Sequence, residues 1–160
     1  MQLARRLEIA AAGVDLLDEV HAVAEQRWVD FQPASRDWPP AARERVWTAV
    51  RAAVTGMLTV FVDGDLDDRG WQTTLTAVRG HGEFDATQTA DLVRIVRIVA
   101  VELLLRRLTQ EVGLTHDERW ELQRRASVYC EELLGTGEEV PAEAVTALLS
   151  ELRASGIDVR

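Results

Sequence analysis

Two arginines, Arg94 and Arg97, interrupt an otherwise apolar run in a 160-residue chain whose 18 basic residues are all arginine. An unpaired guanidinium in such a run is costly, so each needs a carboxylate partner or an edge. Asp91 and Glu102 are the carboxylates on the same segment. The alternative use of a forked guanidinium is to hold an anionic effector, or a switchable salt bridge between helices. Five tryptophans stand among nine aromatic residues: Trp28, Trp38, Trp47, Trp71 and Trp120. They can anchor a core or line an apolar ligand cavity. Arg94, Arg97, Trp71 and Trp120 are therefore the candidate ligand-binding residues, weighed against solvent-facing arginines and ordinary core tryptophans.

Other reactive side chains point away from catalysis and metal binding. Asp63-x-Asp65-x-Asp67 opens like a calcium loop, but Asp68 stands where the sharp turn needs glycine and Thr74 where a bidentate glutamate belongs. The run reads instead as an interhelical turn whose acids cap the next helix. His21, His81 and His116 lack the i, i+4 spacing of paired ligands. His21 lies on an apolar stripe and is the one histidine placed to serve as an axial haem ligand. No distal candidate accompanies it, so it reads as a satisfied or interface histidine. Asp85, in His81-Gly-Glu83-Phe-Asp85, is better used as a helix cap than as a metal ligand. Cys130 reads as a buried mid-helix thiol. Ser35, Ser127, Ser150 and Ser155 have no nucleophile-elbow context, and no phosphate-cradling glycine loop is present. No catalytic residue, metal or cofactor is expected, and the chain does not read as an enzyme.

The elements that must position these residues are helical. Asp85–Val112 opens with an Asp-x-x-Gln capping box and stops at Gly113. Leu92, Val93, Ile95, Val96, Ile98, Val99, Val101, Leu103, Leu104, Leu105 and Leu108 cover more than one stripe. Several helices or a second subunit must therefore surround this central helix. Upstream, apolar or semi-apolar residues recur from Leu3 to Trp28 in alternating four-three spacing, a coiled-coil-like seam through Leu3, Leu7, Ala10, Val14, Leu17, His21, Ala24 and Trp28. A second row, Ile9, Leu16, Val20 and Val23, lies on another face. One row enters the core and the other is left for a partner or for water. Leu3, Leu7, Val14, Leu17 and His21 are the candidate dimer-interface residues, the competing assignment being an ordinary core helix; Ala10, His21 and Ala24 weaken a strict coiled coil, and Gly13 is a candidate break.

Pro33, Pro39 and Pro40 separate this helix from a second, at about Ala41 to Val62, with Val46, Val50, Val54, Met57, Leu58 and Phe61 on its core stripe. A short helix near Asp67–Arg79 carries Leu66, Trp71, Leu75 and Val78 and ends at Gly80 and Gly82. Thr115-x-x-Glu118 opens a further helix carrying Trp120, Leu122, Ala126, Tyr129, Leu133 and Leu134 to Gly135. Pro141 opens the last, with Val145, Leu148, Leu149 and Leu152. The fold class is thus all-α: a single-domain bundle of about six helices, with 1–31 an interface helix, 40–134 the core bundle and 141–155 a C-terminal helix. One domain is what 160 residues lead one to expect.

A net charge of −9 and a pI near 4.8 lack the footprint of a phosphate-backbone binder, so no direct nucleic-acid contact is expected. Early acids at Glu8, Asp15, Asp18 and Glu19 break any signal-peptide core. Arg94, Arg97 and Glu102 break the longest apolar run short of a membrane span. With a single cysteine, these features predict a cytoplasmic protein with no membrane partner.

The order of segments carries a resemblance. A leading helix and a Pro-containing connection precede Arg43-Glu-Arg-Val-Trp-Thr-Ala-Val50. Val78-Arg-Gly-His-Gly82 and Leu92-Val-Arg-Ile-Val-Arg-Ile98 then follow. Over about Leu16 to Leu134 the chain resembles the RsbRD-type N-terminal sensory domain found upstream of PucR/CdaR-like helix-turn-helix regions in actinobacterial transcription factors. Leu92-Val93 and Arg97 match that family's Leu-Leu-x-x-x-Arg-like pattern after a glycine turn. The resemblance implies a globin-like helical bundle without obligatory haem that dimerises, responds to an effector or partner, and signals to a C-terminal DNA-binding region. Gly156-Ile-Asp-Val-Arg160 reads as the entrance to that further domain. The competing expectation is a stand-alone helical ligand-binding protein, such as a TetR-type effector domain or a haem-free globin relative.

Overall fold

The computed structural model describes residues 1–79 and 84–135, together with Ser150 and Ala154. Among the described residues there is no strand. The elements are α1 (Leu3–Phe31), a 3-10 turn (Pro33–Asp37), α2 (Pro40–Asp63) and α3 (Asp68–Arg79). A long rod follows, built from α4 (Ala86–Ile98), a π-helical segment (Val99–Leu105) and α5 (Arg106–Val112), and then α6 (His116–Gly135). With the rod taken as one, these are five helices among the described residues against about six expected. Apart from Ser150 and Ala154 the expected 141–155 helix lies outside the described residues, as do His81 and the glycines expected to end α3.

The central rod begins and ends as its sequence requires. The Asp85 carboxylate accepts from Gln88 N at 2.7 Å, and the Gln88 side chain accepts from Asp85 N at 3.1 Å. At the far end Gly113 adopts the left-handed conformation, φ 63°, that side-chain-bearing residues avoid. Leu92, Val93, Ile95, Val96, Val99, Ala100, Leu104, Leu105 and Leu108 are buried. α1, α2 and α6 pack around the rod, so these neighbours come from the same chain. The seven-residue π segment is unforeseen. Leu103, Leu104 and Leu105 are all apolar, so the register can change there without dragging a charge inward, and Glu102 stays exposed.

α1 corrects two expectations. It runs unbroken through Gly13, which is buried against α2; a Cβ there would lie 2.3 Å from Leu58 Cδ1. The row facing the core is Ile9, Gly13, Leu16, Val20, Ala24 and Trp28. The expected four-three seam is split between two environments: Leu3, Leu7 and Val14 are exposed, whereas Ala24 and Trp28 are fully buried. A seven-residue repeat drifts by about 20° per heptad around a straight helix, so one seam starts on the surface and ends inside.

Arginines close the helix ends. Arg5 donates to Val112 O (2.7 Å) and Gly113 O (3.0 Å) and pairs with Glu118 (2.8 and 3.0 Å). Arg125 donates to Phe61 O at 2.7 Å and Arg6 to Val62 O at 3.0 Å. These carbonyls lack partners within their own helices, and a cation suits the negative end of the helix dipole. Thr115 and Glu118 form the expected capping box, with bonds of 3.0 and 3.1 Å. α2 is long and apolar enough to cross a membrane by length and composition. Here it is a core helix, with Val46, Ala49, Val50, Ala53, Val54, Met57 and Phe61 buried.

Candidate functional site

The four candidate ligand-binding residues are placed apart. Arg94 is exposed, 3.9 Å from Asp91, with its guanidinium 5.6 Å from the centre of the Phe31 ring, so it ties the end of α1 to α4. Arg97 is exposed and approaches the Cys130 thiol. Burial pushes that thiol up to about 11, against the opposing pull of Arg97, so it is not a poised nucleophile. Trp71 packs against Tyr129 with ring centroids 5.6 Å apart and planes tilted by 34°, and donates Nε1–H to Asp65 at 3.1 Å. Trp120 is 67% exposed, which removes the competing assignment of a core anchor. It sits two residues before Leu122, the first of the buried row Leu122, Ala126, Tyr129 and Leu133, and so points to the opposite face. Leu134, carried on the same helix, is exposed for the same reason of phase.

Of the candidate interface residues, Leu3, Leu7 and Val14 are 66%, 61% and 60% exposed. Leu17 packs partly against the core. His21 is half-buried, and its Nε2 has no hydrogen-bond partner among the described residues. Desolvation and the nearby Arg51 charge hold its imidazole below the ordinary range, while Glu25 and Asp18 pull the other way.

The acidic turn sends each carboxylate to a different protein group: Asp63 to Arg6, Asp65 to Leu66 N and Trp71 Nε1, and Asp67 to Gly70 N. Among the described residues no group of three or more His, Cys, Asp or Glu is placed to hold a metal ion. A cleft of about 700 Å³ between α2 and α3 borders this turn, with Thr55, Thr59, Thr73 and Thr74 along its walls. Its three carboxylates serve Arg6 and the turn, and the Thr59 hydroxyl donates to Thr55 O at 3.2 Å.

Another opening is a groove of about 460 Å³ between the rod and the start of α6. Val101 and Leu105 of the π segment form its apolar part, and Arg106, Thr109 and Gln110 of α5 continue the same face. His116, Arg119, Trp120 and Gln123 face them from α6 at i, i+3, i+4 and i+7. Of these nine residues, only Trp120 is among the four singled out as ligand-binding in the sequence. The phase of Trp120 against the buried row of α6 is the signal that could have found the others.

The carboxylates near the start of α6 give a pH test. Hydrogen bonds from Arg5, helped by Thr115, hold Glu118 at about 2, and those from Arg124 and Arg125 do the same for Glu121. Between about 2 and the ordinary value of 4.5 the unfolded chain therefore binds more protons than the folded one. Stability is retained above this window and falls as the pH drops through it. Melting temperature measured from pH 5 to pH 2 should fall less steeply in Arg5→Gln than in the wild type. Parallel curves would mean that the Arg5–Glu118 pair does not contribute.

Fold and site together define the class: an all-α bundle with one helix half in the core and half exposed, and an open cationic, tryptophan-bearing groove. No protein-family model, no curated protein and no solved structure matches the chain.

Proposed function

We propose that this bundle is the sensory and dimerisation domain of a cytoplasmic bacterial transcriptional regulator, of the RsbRD type that its segment order resembles. It relays effector or partner binding to a DNA-binding region outside these 160 residues, whose charge of −9 disfavours direct contact with a phosphate backbone. The observation supporting this reading is the two-sidedness of α1. Ile9, Leu16 and Val20 are in the core, while Leu3, Leu7 and Val14 form an apolar stripe in solvent. Such a stripe is suited to a copy of itself across a two-fold axis. Arg5 and Arg6 of the same helix clamp the ends of α5 and α2, so a shift in bundle packing would reach the stripe.

Native mass spectrometry tests it. The wild type is expected at the dimer mass, and Leu7→Asp with Val14→Asp at the monomer mass with an unchanged helical circular-dichroism spectrum. A double variant that keeps the dimer mass would remove the stripe from the interface. The groove beside Trp120 favours a second reading, a helical ligand-binding protein in its own right, for which excess mass released on denaturation would be the signature.

A further inference from the structure

We infer that the groove between the π segment and α6 is a binding site for a small organic carboxylate with an apolar body. This rests on the sensory reading and names its effector class and site. In a chain with 27 acidic residues against 18 basic ones, no aspartate or glutamate lines this groove. Two arginines do, Arg106 and Arg119, and neither guanidinium makes an ion pair or hydrogen bond with any described residue. Most other arginines near the rod are engaged: Arg5 with Glu118, Arg107 with Glu19, Arg124 and Arg125 with Glu121, and Arg94 with Asp91. Two forks without a partner among the described residues, facing one opening, match the planar, two-oxygen geometry of a carboxylate.

The rest of the wall supplies the apolar half of the recognition. Trp120 presents its indole to solvent at the groove, and Val101 and Leu105 give aliphatic surface opposite. A two-thirds-exposed indole is a large flat apolar surface that the body of a ligand can cover. Gln110, Gln123 and Thr109 add neutral polar groups at the edge; the Thr109 hydroxyl is already given to Leu105 O at 2.8 Å. About 460 Å³ is the volume of a small-molecule site. The π segment forms this wall, and such turns recur where a helix is adapted for function.

The test uses the full chain, labelled with nitrogen-15, and a matched pair of probes: 4-phenylbutyrate and its uncharged amide, 4-phenylbutanamide. The indole N–H resonance of Trp120 is assigned by its loss in Trp120→Phe. The acid is expected to shift that resonance saturably and the amide to bind at least about tenfold more weakly. Arg106→Gln with Arg119→Gln should weaken the acid at least about tenfold and leave the amide unchanged. Equal binding of acid and amide to the wild type, wild-type binding of the acid by the double variant, or no shift of the Trp120 resonance would each overturn the assignment. The oligomer measurement is independent. A dimer with a silent Trp120 refutes the groove and leaves the dimerisation reading standing, and a monomer whose Trp120 responds does the reverse.

Discussion

Gly56→Ala is expected to destabilise the bundle by about 2–4 kcal/mol, a fall of roughly 10 °C in melting temperature. A Cβ at this position in α2 would lie 2.4 Å from the Tyr129 hydroxyl and 3.2 Å from the ring carbon that carries it. Tyr129 has little freedom to yield: it is buried in α6, packed against Trp71, and donates to Ala53 O at 2.6 Å. The same burial holds its phenol protonated, well above the ordinary range. The added methyl must therefore break that hydrogen bond or push α6 away from α2. Tyr129→Phe separates the two costs, because it removes the atom that clashes. Thermal melts of the two single variants and the double variant should show Gly56→Ala costing less in the Tyr129→Phe background. An equal cost in both backgrounds would place the strain elsewhere.

Trp28→Ala should cost about 3–5 kcal/mol, the usual loss for emptying a fully buried large aromatic site. Trp28 is the largest fully buried side chain and the hub of a corner. Trp38, just after the 3-10 turn, meets it edge-on at 6.4 Å, and Phe84, just before α4, at 6.0 Å. Its removal uncouples the end of α1 from the start of the rod, which Gln32 also ties by donating to Asp91 at 2.7 Å. Trp28→Phe makes a sharper test than the truncation. It keeps a ring in both edge contacts and discards an indole N–H that has no acceptor among the described residues. Chemical denaturation should place Trp28→Phe well under half the cost of Trp28→Ala. Matching costs would mean that a phenyl ring's volume and edge contacts contribute nothing and that the corner requires the whole indole.

Local chemistry made much of the architecture legible from residue order. The Asp85/Gln88 and Thr115/Glu118 capping boxes, the prolines before α2, and the stop at Gly113 rest on hydrogen bonds and backbone freedom within a few residues. These are properties the sequence determines by itself. So is the burial of the central rod, since a run apolar on nearly every side has no stable place except among several helices.

The choice of face was a tertiary decision. Two apolar rows on α1 compete for one core, and the Ile9–Leu16–Val20 row prevails because Gly13 lets α1 approach Leu58 of α2 closely. The groove is decided in the same way. Trp120 looks like a core anchor until α6 is docked through Leu122, Ala126 and Tyr129, which turns the indole outward beside Arg119. Arg106 reaches the same opening across the end of the π segment, whose register an unbroken apolar run leaves open. Capping and turn signals act over one helical turn and are written in adjacent residues. Which stripe is buried, and which side chains meet across two helices, depends on how closely whole helices can approach one another.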